Sequence, residues 1–411
     1  MERIFGSRTK QWGYIDYVGC WLLKAADYCR VVEGSVAALV TTNSVCQGRQ
    51  VLQLWPAIFH AEAEIRFAHL SFKWSNSAMH NAGVFCVIIG LGKAGRGSAE
   101  KTIFDGETAK FVDNINPYLT NGANVVVESV SSPLSKQMPK VVTGSVPNDG
   151  GNLIFSATEM LELTDNYPQV RPLFRKFMGS QDFIQGGQRT CLLITDSDLE
   201  MLAEVPEITR RLNEVAELRR KSPKKETREV LAAIPHKFQH LAGVPSKAGL
   251  IIPSVSSEAR EWFPVGFLPT GTVVSNLAFF ANDPPLWSFA VAASKLHLVW
   301  LATVCGKLKT DYRYSNTLGW NTFPLPKLTE QNQADLTACA QSILLAREAH
   351  FPATIADLYD PETMPENLQR AHEQNDEVLE RIYIGRRFKN DTERLEKLFE
   401  LYARMAKKGA A

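Results

Sequence analysis

Excess charge of either sign is missing from this sequence. Its 45 lysines and arginines face 44 aspartates and glutamates, for a formal net charge of +1. No global field therefore marks a polyanion binder, although a balanced total still allows one basic face. Long apolar runs are missing as well. None reaches the roughly 20 residues of a membrane-spanning helix, and the opening MERIFGSRTKQWGY lacks the apolar core of a secretory leader. Paired cysteines are absent: Cys20, Cys29, Cys46, Cys86, Cys191, Cys305 and Cys339 stand singly, mostly in apolar runs, with no C-x-x-C among them. That pattern argues against disulfides and zinc and for buried thiols in a reducing compartment. His236-x-x-x-His240 has no third ligand nearby, so no metal site is expected. The expected location is the cytoplasm, without a membrane partner.

The chain has 411 residues, 45% of them hydrophobic, which suits two or three ordinary domains. Apolar spacing predicts a helix over Tyr14 to Arg30, then a buried strand Val36 to Val40, the polar Thr41-Thr42-Asn43-Ser44, and a second helix from about Gly48 to Phe59. A short strand, Glu64 to Ala68, and a continuous apolar strand, Val84 to Ile89, follow. This order matches the second half of a doubly wound α/β sheet, whose ligands bind beyond the carboxyl ends of strands, where Thr42, Asn43 and Ser44 stand. Between the last two strands lies Ser71-Phe72-Lys73-Trp74-Ser75-Asn76, read as a loop. Two aromatics in a loop need either a core over them or a flat partner stacked on them. A nucleobase drawn out of a duplex is one such partner.

Gly90-Leu91-Gly92-Lys93-Ala94-Gly95 spells G-x-G-x-x-G after a strand, but the residues that follow lack an apolar helical stripe. A hinge fits that context better than a dinucleotide loop. From Thr102 to about Pro326 the pattern is mixed α+β, with strands expected at 125–129, 192–194, 250–252 and 273–274 and a turn at 148–152. One helical segment, Glu207 to Ile234, carries Arg219, Arg220, Lys221, Lys224 and Lys225. It reads either as a phosphate-contacting face or as a solvated charged one. The run Gly306 to Asn316 holds Lys309, Asp311 and Arg313. On one strand face Lys309 and Asp311 would suit the two partners of a G·C pair, with Arg313 on the backbone; a surface ion-pair cluster is the other reading. From Thr329 to Lys408 the pattern is helical and predicts a small bundle.

Taken together, TTNSVCQG, EIRFAHLSFKWSN, FCVIIG, GGNLIFS, LIIPSVSSEAR, CGKLKTDYRYSNTLGWNTFPLP and ADLYDPETMP resemble the MmeI-type (type IIL) restriction–modification enzymes and their nuclease-free relatives. The resemblance runs along the whole chain. It implies three parts: 1–97 as the end of a methyltransferase domain, 98–326 as a target-recognition domain, and 327–411 as a helical carboxyl-terminal domain. It implies methyl transfer from S-adenosylmethionine to the amine of adenine in double-stranded DNA. Position by position, it places Phe72 and Trp74 against the flipped base, Asn43 at the catalytic strand end, and Ser254, Asn276, Leu277, Lys309 and Asp311 at base-reading positions.

The family also needs an F-x-G-x-G loop for the cofactor and an N-P-P-F/Y loop for the adenine amine, and neither string occurs in these residues. Asp283-Pro284-Pro285-Leu286 resembles the related D-P-P-Y loop, yet Leu286 replaces the aromatic and a proline turn is expected. The chain by itself is therefore expected to be inactive. It reads as the carboxyl-terminal portion of the enzyme, as one half of a split methyltransferase completed by an upstream fragment, or as a non-catalytic DNA-binding module. A nucleotide-dependent oxidoreductase built on the 90–95 glycines is a remoter alternative. With no neighbour for the strand 36–40, an exposed sheet edge is expected.

Overall fold

The computed structural model describes all residues except 7, 10–11, 75–83, 96–99, 309 and 410–411. Two compact units emerge. The first gathers Met1–Lys136, Leu296–Lys327 and Glu380–Ala411; the second gathers Gln137–Lys295 and Leu328–Leu379.

In the first unit, helix α1 (Val18–Val31) leads into strand β1 (Val36–Thr42), and helix α2 (Gly48–His60) leads from it to β2 (Ala63–Lys73). β3 (Phe85–Lys93), β4 (Lys101–Asp105) and β5 (Thr108–Val112) complete a sheet of order β1-β3-β2-β4-β5. β3 is antiparallel to both β1 and β2, so those two run parallel and α2 is the crossover between them. The two helices touch each other on one face of the sheet. Leu22, Leu23, Ala26, Val51, Leu54, Trp55 and Ile58 of the helices are buried, as are Ile65, Ala68, Ile89 and Leu91 of the strands they contact. Each valine, leucine and isoleucine among them contributes roughly 1.5–3 kcal/mol of burial.

The apolar run at 84–89 becomes a buried strand, as its β-branched residues predict. It continues through Gly90 to Lys93, which corrects the hinge reading of the glycines. A Cβ on Gly90 would stand 2.2 Å from the Phe67 ring, and one on Gly92 would stand 2.9 Å from the Arg66 side chain. The glycines let neighbouring side chains lie flat on the strand. β1 differs from the buried strand expected: among the described residues it pairs only with β3, and Val36 to Val40 alternate between exposed and half-buried. The sheet also runs past residue 97, because Phe67, Ala68 and His69 of β2 pair in parallel with Thr102, Ile103 and Phe104.

Val125 to Ser129 forms no strand. Two of its amides donate to side-chain hydroxyls, Val127 to Tyr118 and Glu128 to Tyr402, and so take no partner strand. Elsewhere in this unit the helix Asp391–Gly409 packs Phe399 on the Tyr118 ring (4.7 Å) and on Trp300 (5.2 Å).

The second unit holds two four-stranded sheets. β6 (Val142–Thr143), β10 (Ala248–Pro253), β11 (Gly266–Pro269) and β13 (Ala278–Asn282) pair in the order β11-β10-β13-β6. β7 (Ile154–Ser156), β8 (Phe174–Met178), β9 (Arg189–Leu192) and β12 (Val273–Val274) pair in the order β12-β8-β9-β7. Leu153, Phe155, Val170, Leu192, Val205, Ile208 and Val215 form one of its apolar clusters. The segment expected as one helix over 207–234 is two: α3 (Pro206–Arg220) and α4 (Lys225–Glu229), parted at Ser222-Pro223, where proline cannot continue the helix. The carboxyl-terminal stretch is helical as expected. α5 (Glu330–Glu348) starts at a Thr329–Asn332 capping box and packs on the short helix Trp287–Ala292. α6 (Glu366–Ile384) reaches that same helix through Asn375, whose amide donates to Ala290 O at 2.9 Å.

Candidate nucleic-acid interface

At the carboxyl end of β1 the chain turns through Asn43–Cys46. The Asn43 amide donates to Ser71 Oγ at 3.0 Å, tying this turn to β2. Ser44 Oγ donates to Asp16 Oδ2 at 3.0 Å, and the Gln50 amide donates to the same oxygen at 2.5 Å. The polar end of β1 is thus held by three other segments. β2 slips register between His69 and Phe72, and such a bulge re-aims the side chains beyond it.

Here the expectation of a loop is corrected: 71–73 remain in β2, with Phe72 opposite Cys86, and the Trp74 amide still donates to Val84 O at 2.8 Å. Phe72 and Trp74, two apart on extended chain, share a face. Phe72 is half-buried and Trp74 is 41% exposed, so neither ring is sealed in a core. Ser75 and Asn76 lie outside the described residues.

The second unit brings Ser254 and Leu277 together. Ser254 Oγ donates to Leu277 O at 2.5 Å, and Ser180 Oγ, which accepts from the Ser254 amide at 2.8 Å, donates to the same carbonyl. Asn276 and Leu277 both face solvent. Their backbone is fixed beneath: the Asn276 amide donates to Ser145 O at 2.9 Å and the Leu277 amide to Ser275 Oγ at 3.3 Å, with Ser145 and Ser275 buried. Exposed side chains on a pinned backbone are what a reading surface requires. Sequence reasoning missed Ser180; nothing in its local pattern marks it.

In the first unit, Asp311 and Arg313 lie on the strand Asp311–Arg313, where Asp311 pairs with Leu308 and Tyr312 with Lys307. Arg313 is exposed and has no ion-pair partner among the described residues. Lys309, and with it the expected pair with Asp311, lies outside the described residues.

The basic helix resolves into different roles. Arg219 is fully buried and its guanidinium donates to five carbonyls: Pro147, Asn148, Leu231, Ile234 and Lys237, at 2.8–3.1 Å. It ties α3 to the stretches 147–148 and 231–237 and is unavailable to a phosphate, which corrects its expected role. A signal was present, since Ile208, Val215 and Arg219 recur on the buried side of α3. Arg220 pairs with Glu217 at 2.5 Å, and Lys225 stands 3.9 Å from Glu229. Lys221 and Lys224 are exposed, with no ion-pair partner among the described residues.

The remaining candidates are structural. Asp283 accepts from the Lys247 and Ala248 amides at 2.7 and 2.9 Å and from Ser246 Oγ at 2.5 Å. These bonds, the Ser246 hydroxyl first, hold its carboxyl down to about 2, so the D-P-P run is a turn. His236 Nε2 lies 2.8 Å from Asp196, which Lys237 also contacts at 2.6 Å. Among the described residues no three His, Cys, Asp or Glu side chains gather as a metal site, and no helix is long and apolar enough to cross a membrane.

Models of three domains match the chain in order: the MmeI DNA-methyltransferase domain over residues 1–105, the MmeI target recognition domain over 121–327, and the MmeI C-terminal domain over 328–408. The chain belongs to the MmeI family. DNA methyltransferase A of Bacillus subtilis (strain 168) is 40% identical over 408 residues, which are 99% of this chain and 46% of the relative. The solved structure of the type IIL restriction–modification enzyme MmeI in complex with DNA superposes with a TM-score of 0.84 at 34% identity, covering 99% of this chain and 54% of that one. The chain thus spans about half the length of the relatives it matches.

Proposed function

We propose that this chain is the base-holding and target-reading portion of a site-specific, S-adenosylmethionine-dependent adenine-N6 DNA methyltransferase of a restriction–modification-like system. Residues 1 to about 105 form the end of the methyltransferase domain, the stretch from there to about 327 reads the target in double-stranded DNA, and the remainder forms the helical carboxyl-terminal domain. The observation that supports this most is the strand end itself. Asn43 is tied to Ser71, and beside it the half-open Phe72 and Trp74 rings share one face.

Catalysis here is positioning. A flipped adenine stacks on Phe72 or Trp74, a contact worth roughly 1–3 kcal/mol per base, and the Asn43 turn fixes where its exocyclic amine lies. Ser254, Asn276, Leu277, Lys309 and Asp311 face base edges, while Arg220, Lys221, Lys224, Lys225 and Arg313 approach phosphates.

S-adenosylmethionine supplies the methyl group, but the residues present do not fit it by themselves. The glycine run 90–93 is strand, packed under Phe67 and Arg66, and no F-x-G-x-G or N-P-P-F/Y string occurs in the sequence. We therefore assign the main cofactor contacts to residues beyond these. A methylation assay with labelled S-adenosylmethionine tests the reading. No transfer is expected from this chain alone, and transfer once it is combined with the rest of a relative; transfer by the chain alone overturns the assignment of cofactor contacts.

A second reading, a sequence-specific DNA-binding module without catalysis, is favoured by the Ser254–Leu277 surface, whose support needs no cofactor. Specific DNA binding with no methylation in any combination would select it.

A further inference from the structure

Lys307 is held at the base-holding end of the first unit from two sides. Before it, the chain meets the start of α2, just beyond the Asn43–Cys46 turn: a Cβ on Gly48 would stand 3.1 Å from Gly306 Cα and N. After it, the Lys307 ammonium lies over two rings, 5.7 Å from the centre of Phe85 and 5.5 Å from that of Tyr312. Phe85 is the cross-strand partner of Lys73, which stands between Phe72 and Trp74 in sequence. Side chains so paired are direct neighbours on one face, so the Lys73 and Lys307 charges flank the same ring. Lys73 is exposed and has no ion-pair partner among the described residues. Two like charges brought to one ring repel each other and suit an anion between them.

The hairpin that carries Lys307 sorts its side chains by face. Lys307 pairs with Tyr312, and Leu308 with Asp311. Alternate strand residues point to opposite faces, so Asp311 and Arg313 share one side while Lys307 and Tyr312 share the other, toward Phe85. Lys307 is thereby turned away from the proposed base-reading side and toward the strands that hold Phe72 and Trp74.

We propose that Lys307, with Lys73 across the Phe85 ring, binds a backbone phosphate flanking the flipped nucleotide. A base leaves the duplex by rotating about its own backbone, so its flanking phosphates stay at the mouth of the pocket. An ammonium binds phosphate as a point charge, and one fixed over two rings sets how far the backbone has turned. That rotation aligns the exocyclic amine. The contact is independent of sequence. The proposal rests on the reading above that Phe72 or Trp74 receives the base.

The 411-residue chain is titrated, at rising salt, with two fluorescent duplexes of one mixed sequence, alike except that one places a single adenine opposite an abasic site. An adenine without a partner is easier to extrude, so the parent should bind that duplex several-fold more tightly, and Trp74→Ala should abolish the preference. On that duplex Lys307→Gln, checked to melt like the parent, should lower the slope of log affinity against log salt by about 0.9, and Lys307→Arg should restore it. A neutral methylphosphonate at one of the two phosphates flanking the adenine should weaken the parent several-fold and leave Lys307→Gln unaffected. Should Lys307→Gln unfold, Lys73→Gln carries the same comparison on an exposed side chain. A salt slope unchanged by these substitutions, or equal methylphosphonate losses in parent and variant at both positions, would overturn the proposal alone. A parent indifferent to the unpaired adenine would overturn the seat of the base, and the assignment of Lys307 to its flank with it.

Discussion

Asn43 and Ser71, 28 residues apart, are joined by a 3.0 Å hydrogen bond from amide to hydroxyl. The bond couples the end of β1 to the bulged end of β2, one residue before Phe72. Removing it with Ser71→Ala should leave folding nearly intact, since the pair is exposed and such bonds contribute about 1 kcal/mol net. On the methyltransferase reading, it should lower the methylation rate of the chain combined with the rest of a relative about tenfold or more, by loosening the proposed seat of the base. Single-turnover methylation compared with DNA affinity separates the two effects. An unchanged rate would detach Asn43 from the base.

Arg219 makes the opposite prediction. Arg219→Met leaves five partly buried carbonyls without this donor and should destabilise the protein by about 3 kcal/mol or more, as measured by urea unfolding. Lys221→Ala and Lys224→Ala should leave stability within about 0.5 kcal/mol. On the DNA reading, each lowers the salt slope of binding by about one.

The Ser254–Leu277 surface should govern which sequence is bound. Asn276→Ala should weaken binding to the recognised site selectively, by about 1–3 kcal/mol. A binding assay across variant sites checks this. Equal losses on every sequence would place Asn276 outside base reading.

Buried His297, with Nε2 2.9 Å from the Tyr314 hydroxyl, gives a pH prediction. Burial pushes its imidazole from the usual 6.5 down to about 3. Between those values the unfolded chain takes up a proton that the folded one refuses. This contribution to stability is therefore complete above about pH 6.5 and is lost as pH falls toward 3, at up to about 1.4 kcal/mol per pH unit. Urea midpoints at pH 7, 5 and 4 should show that slope, and His297→Gln should flatten it.

The sequence made the first sheet legible because its elements have strong local signals: the two helices that become 18–31 and 48–60 and the apolar part of the strand, up to Ile89, follow from spacing alone. It misled wherever a partner decides. Lys73 pairs with Phe85, so a segment that reads as an aromatic loop becomes strand. Gly90 accommodates the Phe67 ring, so a phosphate-loop pattern turns out to be close packing. Arg219 looks like its charged neighbours until its carbonyls are counted. At the proposed base-holding site, Phe72 and Trp74 were found by residue type, whereas their common face depends on a register that local composition does not encode. The Ser180 contribution is invisible without the fold.

All seven thiols are free and buried, and burial raises those of Cys191 and Cys305 to about 12. The native molecule should therefore ignore alkylating reagents, and each new adduct counts one part of the interior that has opened. A cysteine introduced on the surface would then carry a fluorophore alone, with no native residue first removed.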